Sequence, residues 1–507
     1  MSATTAAAPP VPAARWASRR PGVHQARFVA LAGAAVTATA LLTLQSPQLG
    51  ASAALLGLVA AAYIGHPPAG LGALWAVWFI APGLRRVFGL EGGYVDADPL
   101  AVVPFAATAI VALLTILRKE LPPRVRFVLV AAGLGLVFGI PSGLGQPSAA
   151  AFAAFAYGSA LSAVVIGFSE GRRLPRRWSL TRAVAVGAPL LALYALYQYF
   201  VGPPSWDALW LERVNFVSVG APEEGKIRVF STLNAPGVLA PVLAVGLLLL
   251  LARRRVGVLS LASMALLTVV LVLTYVRSAW VALVAGLLVL LLVTRGRAGP
   301  QIIAFVVVLA IAGLTLAASG PTMDAFLERV GTFGALDDDV SANARQDTAR
   351  DLLPELLAAP SGHGLGSAGE ANRLGGEGLR IPDNGYLSLA YQVGVPGALL
   401  VLSGLVLAAW RSARRAWRQP ADHAAAALTA TFVLFFVLLA AGDVFYGLPG
   451  MILWYLTGAA LARPEATGDG GPSGAYRYRV ADRGLAPEYS IESAPQHPAA
   501  PSPPPSR

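Results

Sequence analysis

The stretch from Leu267 to Leu292 reads LTVVLVLTYVRSAWVALVAGLLVLLL, two apolar runs with Arg277 between them. Each run continues far enough to cross most of the hydrocarbon layer of a bilayer. The pattern predicts two membrane helices joined by a tight hairpin at Arg277 and Ser278. Similar runs fill most of the chain, so the sequence predicts an all-α polytopic membrane protein.

The composition agrees with this fold class. Of 507 residues, 56% are hydrophobic and 13% are charged, and the mean hydropathy is +0.63. Soluble domains carry roughly 25% charged residues. The chain has no cysteine, which excludes disulfides and thiolate chemistry, and its five histidines lack the spacing of metal ligands. We therefore expect neither a protein-bound metal nor a cofactor.

About fourteen apolar runs have the length of a membrane span. The second and third are short and interrupted by Gly and Pro, so they could form one broken hairpin. We expect residues 26–463 to form the transmembrane domain, with disordered cytoplasmic tails at 1–25 and 464–507. The runs lie near 27–45, 50–65, 68–84, 99–117, 127–143, 148–169, 182–201, 234–252, 256–275, 278–294, 300–319, 385–410, 424–442 and 447–462.

Lysine and arginine concentrate in alternate loops. The short loops on the other side hold almost none, with Arg85 and Arg86 as the exception. By the positive-inside rule the basic loops are cytoplasmic, which makes both termini cytoplasmic in a multi-pass protein of the cytoplasmic membrane. The basic loops are 118–126, 171–182, 253–255, 295–297 and 411–418.

Two loops on the outer side are long, 202–233 and 320–384, and loops of that length usually carry function or disorder. Within the second, four leucines between 352 and 357 have helical spacing. Ser341 is placed to cap this helix and Pro360 follows its end. We therefore expect a large, partly helical extracytoplasmic loop.

Three polar clusters are predicted to share the outer face. Several arginines above an apolar bundle indicate a lipid-linked phosphate ligand, because the guanidinium fork donates paired hydrogen bonds to phosphate oxygens. Simpler roles stay open, since a loop arginine can be solvated or contact lipid headgroups, and an Asp-Asn pair can cap a helix. The clusters contain Arg228, Ser231, Thr232 and Asn234; Arg277 and Ser278; and Arg345, Arg350 and Arg380 with Asp383 and Asn384.

Two further motifs in the large loop are less specific. DDD at 337–339 is interpreted as an exposed loop tip rather than a metal-binding pair. GHGLGSAG at 362–369 lacks the Lys-Ser/Thr of a phosphate-binding loop. It predicts a turn whose backbone approaches a helix or a ligand.

Three stretches together resemble the O-antigen ligase and O-antigen polymerase superfamily. They are RVFSTLNAPGVLA (228–240), LVLTYVRSAWVAL (271–283) and DNGYLSLAYQVGVPGALL (383–400), and the resemblance covers roughly 180–460. It implies a metal-independent membrane glycosyltransferase that uses a polyprenyl-diphosphate-linked glycan, such as an undecaprenyl diphosphate derivative, as donor. The acceptor would be a glycan or a lipid-linked glycan, and no nucleic acid is involved.

The resemblance also implies roles for individual residues. Arg228, Arg277 and Arg345 would bind the diphosphate, Asp383 and Asn384 would be catalytic, and a supporting set would comprise Asn234, Ser278 and Tyr386. The family usually has histidine where this chain has Asp383. A carboxylate can also accept the proton of an acceptor hydroxyl, and His363 is a second candidate for that role.

Other functions remain as alternatives. A flippase or coupled transporter usually buries ionisable residues in mid-span, and the centres of these runs essentially lack them. The peptidoglycan glycosyltransferases of cell shape and division have nearer ten helices and signature segments that are not found here. A purely structural membrane scaffold is the least favoured alternative, because it does not account for the large outer loop and its arginines. Polymerase and ligase stay two open alternatives, as do the sugar and the acceptor.

Overall fold

The computed structural model describes the helical part of the chain and many of the loops between the helices. These described residues contain α-helices and short 3-10 helices and no strand. All of them lie in the first of two units, Met1–Ala466, and both predicted tails fall outside them. The described residues are 39, 42–43, 46–92, 98–173, 178–214, 219–221, 223–253, 257–317, 350, 352–356, 358–375 and 382–462.

Every predicted apolar run from 50–65 onward coincides with a helix, and the runs 50–65 and 68–84 form two separate helices. Most of the run 27–45 lies outside the described residues. The helices are α1 Pro47–Gly65, α2 Pro67–Gly92, α3 Val103–Ile116, α4 Pro123–Phe138, α5 Ile140–Gly143, α6 Pro147–Gly171, α7 Ser179–Phe200, α8 Ser205–Val214, α9 Pro236–Leu251, α10 Val258–Leu273, α11 Arg277–Val293, α12 Gly299–Ala317, α13 Gly385–Arg418, α14 His423–Leu439 and α15 Gly447–Leu461.

Among the described residues, five helices are long and apolar enough to cross a membrane: Pro47–Gly65, Pro67–Leu90, Pro147–Gly171, Ser179–Phe200 and Gly385–Arg418. Shorter apolar helices of 10–17 residues accompany them, among them α9, α10 and α11. The predicted all-α class is confirmed for the described residues. The count of about fourteen spans remains a prediction.

Capping residues and prolines set many of the helix starts. Ser46 accepts a hydrogen bond from the backbone N–H of Leu49 at 3.0 Å, directly ahead of Pro47. Asp422 caps α14 in the same way through the N–H groups of Ala424 and Ala425. Proline suits the first turn because its missing N–H would have no helical partner there.

The basic loops are connected to one another at one end of the bundle. Lys119 Nζ donates to the Ser169 carbonyl at the end of α6, at 3.4 Å. Arg295 Nη2 donates to the carbonyl of Trp417 near the end of α13, also at 3.4 Å. We call this side the basic end, and the opposite side the site end. Four of the five basic loops of the sequence therefore meet in two pairs at this end.

The helices α6 and α15 pack against each other through glycine. A Cβ at Gly167 would lie 1.8 Å from the Tyr455 carbonyl oxygen, so only glycine allows this approach. Near the basic end, Glu170 is buried between the two helices and accepts from the Tyr455 hydroxyl at 2.7 Å and the Ser179 N–H at 3.0 Å. The last described helix is thereby tied to α6 and to the start of α7.

Candidate functional site

The segment Arg228–Asn234 lies inside the bundle rather than above it. The Ser231 hydroxyl donates to the carbonyl of Leu191, at the middle of α7, at 2.7 Å. The Thr232 hydroxyl donates to the Phe79 carbonyl on α2. At the end of the segment, the side-chain oxygen of Asn234 is buried without a hydrogen-bond partner among the described residues. The segment thus brings a polar loop between two apolar helices.

Arg228 connects this segment to the α10–α11 hairpin. Its Nε donates to the Thr274 carbonyl at 3.1 Å and its Nη2 to the Tyr275 carbonyl at 3.4 Å. Arg277 begins α11 two residues later, and both arginine side chains are half-buried. The predicted tight hairpin is therefore present. Two of the three predicted diphosphate-binding arginines are associated with its turn, Arg228 through hydrogen bonds and Arg277 as the first residue of the following helix.

The turn of this hairpin carries backbone strain. Tyr275 has φ of 52°, in the left-handed region that side chains other than glycine rarely adopt. Such a conformation costs on the order of 1 kcal/mol and persists where the surrounding contacts hold it in place. The hydrogen bond from Arg228 to the Tyr275 carbonyl is one of those contacts.

Arg86 holds the segment from the opposite side. Its Nε lies 3.0 Å from Asp207 Oδ1, and the two side chains are 1% and 0% exposed. Its Nη2 donates to the Ser231 carbonyl at 2.8 Å. The expectation that Arg85 and Arg86 lie in a short loop was wrong, because α2 continues through them to Gly92. The apparent exception to the charge rule is a buried ion pair.

Further polar groups complete the surroundings of Asp207. Its second oxygen accepts from Gln198 Nε2 at 2.6 Å and from the Tyr194 hydroxyl at 2.8 Å. The side-chain oxygen of Gln198, Oε1, in turn accepts from the Ser231 N–H at 2.7 Å. Sequence reasoning missed Asp207 and the helix α8 that carries it. A hint of a buried acidic partner was available in the two arginines of α2, which stand alone at the end of an apolar run.

Asp383 and Asn384 begin α13 in a second cluster at the site end. Asn384 Oδ1 accepts from the N–H groups of Tyr386 and Leu387 at 3.0 and 3.1 Å, so the predicted helix cap is confirmed for Asn384. Asp383 is exposed at the head of the helix. The Tyr386 hydroxyl donates to the Phe436 carbonyl at 2.9 Å, which fixes this end of α13 against α14.

A carboxylate that sequence reasoning did not select, Asp443 in the segment between α14 and α15, joins α6 to the first turn of α13. Asp443 Oδ2 accepts from the Tyr157 hydroxyl at 2.7 Å and from the Ser388 hydroxyl at 3.1 Å. Gln392 Nε2 donates to the same Tyr157 hydroxyl at 3.1 Å. Desolvation raises the pKa of Asp443 above its ordinary 3.8, while its hydrogen-bond donors act in the opposite direction.

The Gly-rich turn binds to a break in α13. Gly394 has φ of 73° and ψ of 166°, and the Val395 N–H donates to the Pro360 carbonyl at 3.1 Å instead of continuing the helix. The Gly364 N–H donates to the Gln392 carbonyl at 3.1 Å, and the Gly366 N–H to the Gln392 side chain at 3.0 Å. The prediction of a turn that approaches a helix is therefore confirmed.

His363, in this turn, stacks on Tyr391 with ring centroids 4.1 Å apart and planes 8° from parallel. Its backbone N–H donates to the Tyr391 carbonyl at 2.8 Å, which orients the ring along α13. The buried Nδ1 has no hydrogen-bond partner among the described residues. His363 therefore stays a second candidate base beside Asp383's proposed role.

Only part of the predicted loop helix is described. Residues 352–356 are helical, and Leu352 and Leu356 are 3% and 5% exposed where they pack on Ala368 and Tyr391. This agrees with the leucine spacing. Arg345, the capping Ser341 and the acidic tip at 337–339 lie outside the described residues.

The helices under the first cluster are short. α9 and α10 have 16 residues each and α11 has 17, which corresponds to about 24–26 Å of helix. A bilayer core is about 30 Å thick. At its C-terminal end, α11 is tied to α13 by the hydrogen bond of Arg295. At the other end Arg228 and Arg277 are half-buried, and a charged group interacts more strongly in such surroundings than in water.

Two half-buried cations at one helix hairpin can bind an anionic group. Among the described residues, no group of three or more His, Cys, Asp or Glu is placed to hold a metal ion. Two cations and hydrogen-bond donors are groups that stabilise the negative charge developing on a departing phosphate.

A family model described as O-Antigen ligase matches residues 262–402. The match confirms the resemblance to the O-antigen ligase superfamily over that segment, which contains Arg277, Ser278, Asp383, Asn384 and Tyr386. Arg228 and Asn234 lie outside it, and the hydrogen bonds of Arg228 attach them to it. No curated protein is significantly similar to the chain. Together with the apolar helices, the match supports a membrane protein with ligase- or glycosyltransferase-type activity.

Proposed function

We propose that this chain transfers or polymerises polyprenyl-diphosphate-linked oligosaccharide on the outer face of the cytoplasmic membrane. The observation that carries the proposal is the contact of Arg228 with the hairpin of Arg277, which places two half-buried cations among apolar helices. A diphosphate on a polyprenyl lipid matches both features with a double anion and a hydrocarbon tail.

In this proposal about fourteen helices cross the membrane, with the basic end and both termini in the cytoplasm and the loop 320–384 outside. The asymmetry of the Lys and Arg loops supports this orientation. The donor then enters from the outer leaflet, where finished lipid-linked glycans are used.

The proposed reaction is a single displacement at the anomeric carbon. The acceptor hydroxyl forms the new C–O bond, its proton passes to a base, and the bond to the diphosphate oxygen breaks. Arg228, Arg277 and Arg345 stabilise the released polyprenyl diphosphate. Asp383 serves as the base, and Asn384 fixes its position by capping α13.

Two measurements test this function. A clean deletion strain should accumulate polyprenyl-diphosphate-linked glycans, which are extracted and sized against wild type. Single repeat units with loss of surface polymer identify a polymerase, whereas full-length lipid-linked chains identify a ligase. An unchanged lipid-linked pool contradicts glycan transfer and favours the transporter alternative.

The second measurement uses purified protein with Asp383→Ala. We expect loss of transfer with unchanged thermal unfolding, because the side chain is exposed and Asn384 makes the cap hydrogen bonds. His363→Ala, measured in parallel, separates the two candidate bases. Full activity of Asp383→Ala removes this residue from the mechanism.

A further inference from the structure

A furrow of about 410 Å³ runs along the outside of the bundle between α2 and α7. It is almost wholly apolar, with Trp75 and Phe79 as its floor. Its rims are exposed residues at four-residue spacing, which places them on one face of each helix. The rim residues are Gly72, Ala76 and Ile80 on α2, and Arg182, Val186 and Leu190 on α7.

Small side chains keep the furrow open. A Cβ at Gly187 would lie 2.5 Å from the Phe79 ring, so this ring occupies the position of a side chain on α7. A Cβ at Gly72 would have nothing within 4 Å, so that side of the furrow is empty space. Protein atoms do not fill this gap, and an unfilled gap loses dispersion contacts along its whole lining. In a bilayer a lipid chain supplies them.

The length of the furrow matches one leaflet. Its lining extends from Pro68 to Ile80 on α2 and from Ser179 to Leu191 on α7, which is about 18 Å along each helix axis. Half of a bilayer core is about 15 Å. The furrow starts at the basic end and stops near the middle of the bundle, so it fits a chain that enters from the leaflet on that side.

The charge of the lining lies at the same end. Arg182 is the charged residue among those that line the furrow, and it is exposed beside Ser179. Arg172 and Arg173 are exposed on the loop just before it. The opposite end closes on Thr232, whose hydroxyl is bound to the Phe79 carbonyl. Basic pockets between helices at the cytoplasmic side select anionic headgroups.

We propose that this furrow binds one anionic phospholipid, with its phosphate on Arg182 and an acyl chain over Trp75 and Phe79. The inference does not depend on glycan transfer. The lipid would act as a structural ligand, since Phe79 both forms the floor of the furrow and accepts the hydrogen bond of Thr232 in the polar segment.

The test reconstitutes the full-length protein in nanodiscs of equimolar phosphatidylglycerol and phosphatidylcholine, then measures the lipids retained by native mass spectrometry. Arg182→Gln removes the headgroup contact, and Gly72→Leu fills the furrow from a position with open space. Matched controls are Arg414→Gln, exposed at the basic end of α13, and Gly133→Leu on α4, also with nothing within 4 Å of its Cβ position.

We expect wild type and both controls to retain one phosphatidylglycerol. Arg182→Gln should lower its retention about fivefold, the effect of one arginine at an anionic surface, and Gly72→Leu should abolish it. Equal retention in all five proteins overturns the proposal, as does equal retention of phosphatidylcholine. A further arm adds polyprenyl phosphate; if it displaces phosphatidylglycerol from wild type and Gly72→Leu blocks its binding, the furrow belongs to that lipid instead.

Discussion

Replacing Arg86 with methionine tests whether the buried ion pair holds the polar segment in place. The substitution preserves the long apolar stem but leaves the Asp207 carboxylate, 0% exposed, without its cation. Removing one partner of a buried pair costs about 3–5 kcal/mol. Tyr194 and Gln198 still donate to Asp207, so we expect the lower part of this range. The loss of the bond to the Ser231 carbonyl adds roughly 1 kcal/mol.

Thermal unfolding in detergent measures the effect, and an exposed pair provides the control. Lys226 Nζ lies 2.7 Å from Glu223 Oε2, closer than the Arg86 contact, but the two side chains are 69% and 61% exposed. Lys226→Met should not move the transition, because solvent screens such pairs. The double variant Arg86→Met/Asp207→Asn should recover much of the loss, since it leaves no buried charge. The reasoning is refuted if Arg86→Met is as stable as wild type. It is also refuted if the double variant loses the sum of what Arg86→Met and Asp207→Asn lose separately.

Arg228→Lys keeps the charge but removes the Nε and Nη2 contacts with the hairpin; we expect transfer to fall about tenfold or more, and a wild-type rate would exclude Arg228 from donor binding. Because burial raises the pKa of Asp443 above 3.8, the folded chain holds this proton more tightly than the unfolded chain, and stability falls as pH rises from 3.8 toward the raised value. Asp443→Asn should remove that fall, and a pH–stability curve identical to wild type contradicts it. Gly394→Ala places a Cβ 2.4 Å from the Pro360 carbonyl in a backbone region reserved for glycine, so it should cost roughly 1–3 kcal/mol in chemical denaturation. Gly442→Ala, with nothing within 4 Å, is its control and should unfold like wild type.

The helices were predictable because an apolar run of spanning length is a local property of the sequence. The cap at Asn384 and the turn around Gly364 were predictable for the same reason, since side-chain type and backbone freedom determine them within a few residues. The end of α2 was not, because hydropathy drops at Arg85 while the helical hydrogen bonds continue to Gly92.

The ion pair of Arg86 with Asp207 and the contacts of Asp443 escaped prediction for a different reason. Their partners are far apart in sequence, and no local pattern specifies which acid meets which base. The Tyr157 hydroxyl that donates to Asp443 is 286 residues away from it. The candidate site was therefore predictable in its arginines and its helix cap, but not in the groups that support them.

The contacts of the polar segment also set an order in which the site can be assembled. Arg86 precedes the Ser231 carbonyl it binds by 145 residues, so these native contacts can form only after α8 and the segment have been synthesised. Asp443 comes just before α15, the last described helix, and completes the contacts of Tyr157 and Ser388. During synthesis the N-terminal helices thus act as a receptor for later parts of the chain. An N-terminal fragment ending after α7 and a separately expressed remainder should therefore find each other in the same membrane, with Arg86 as the recognition element.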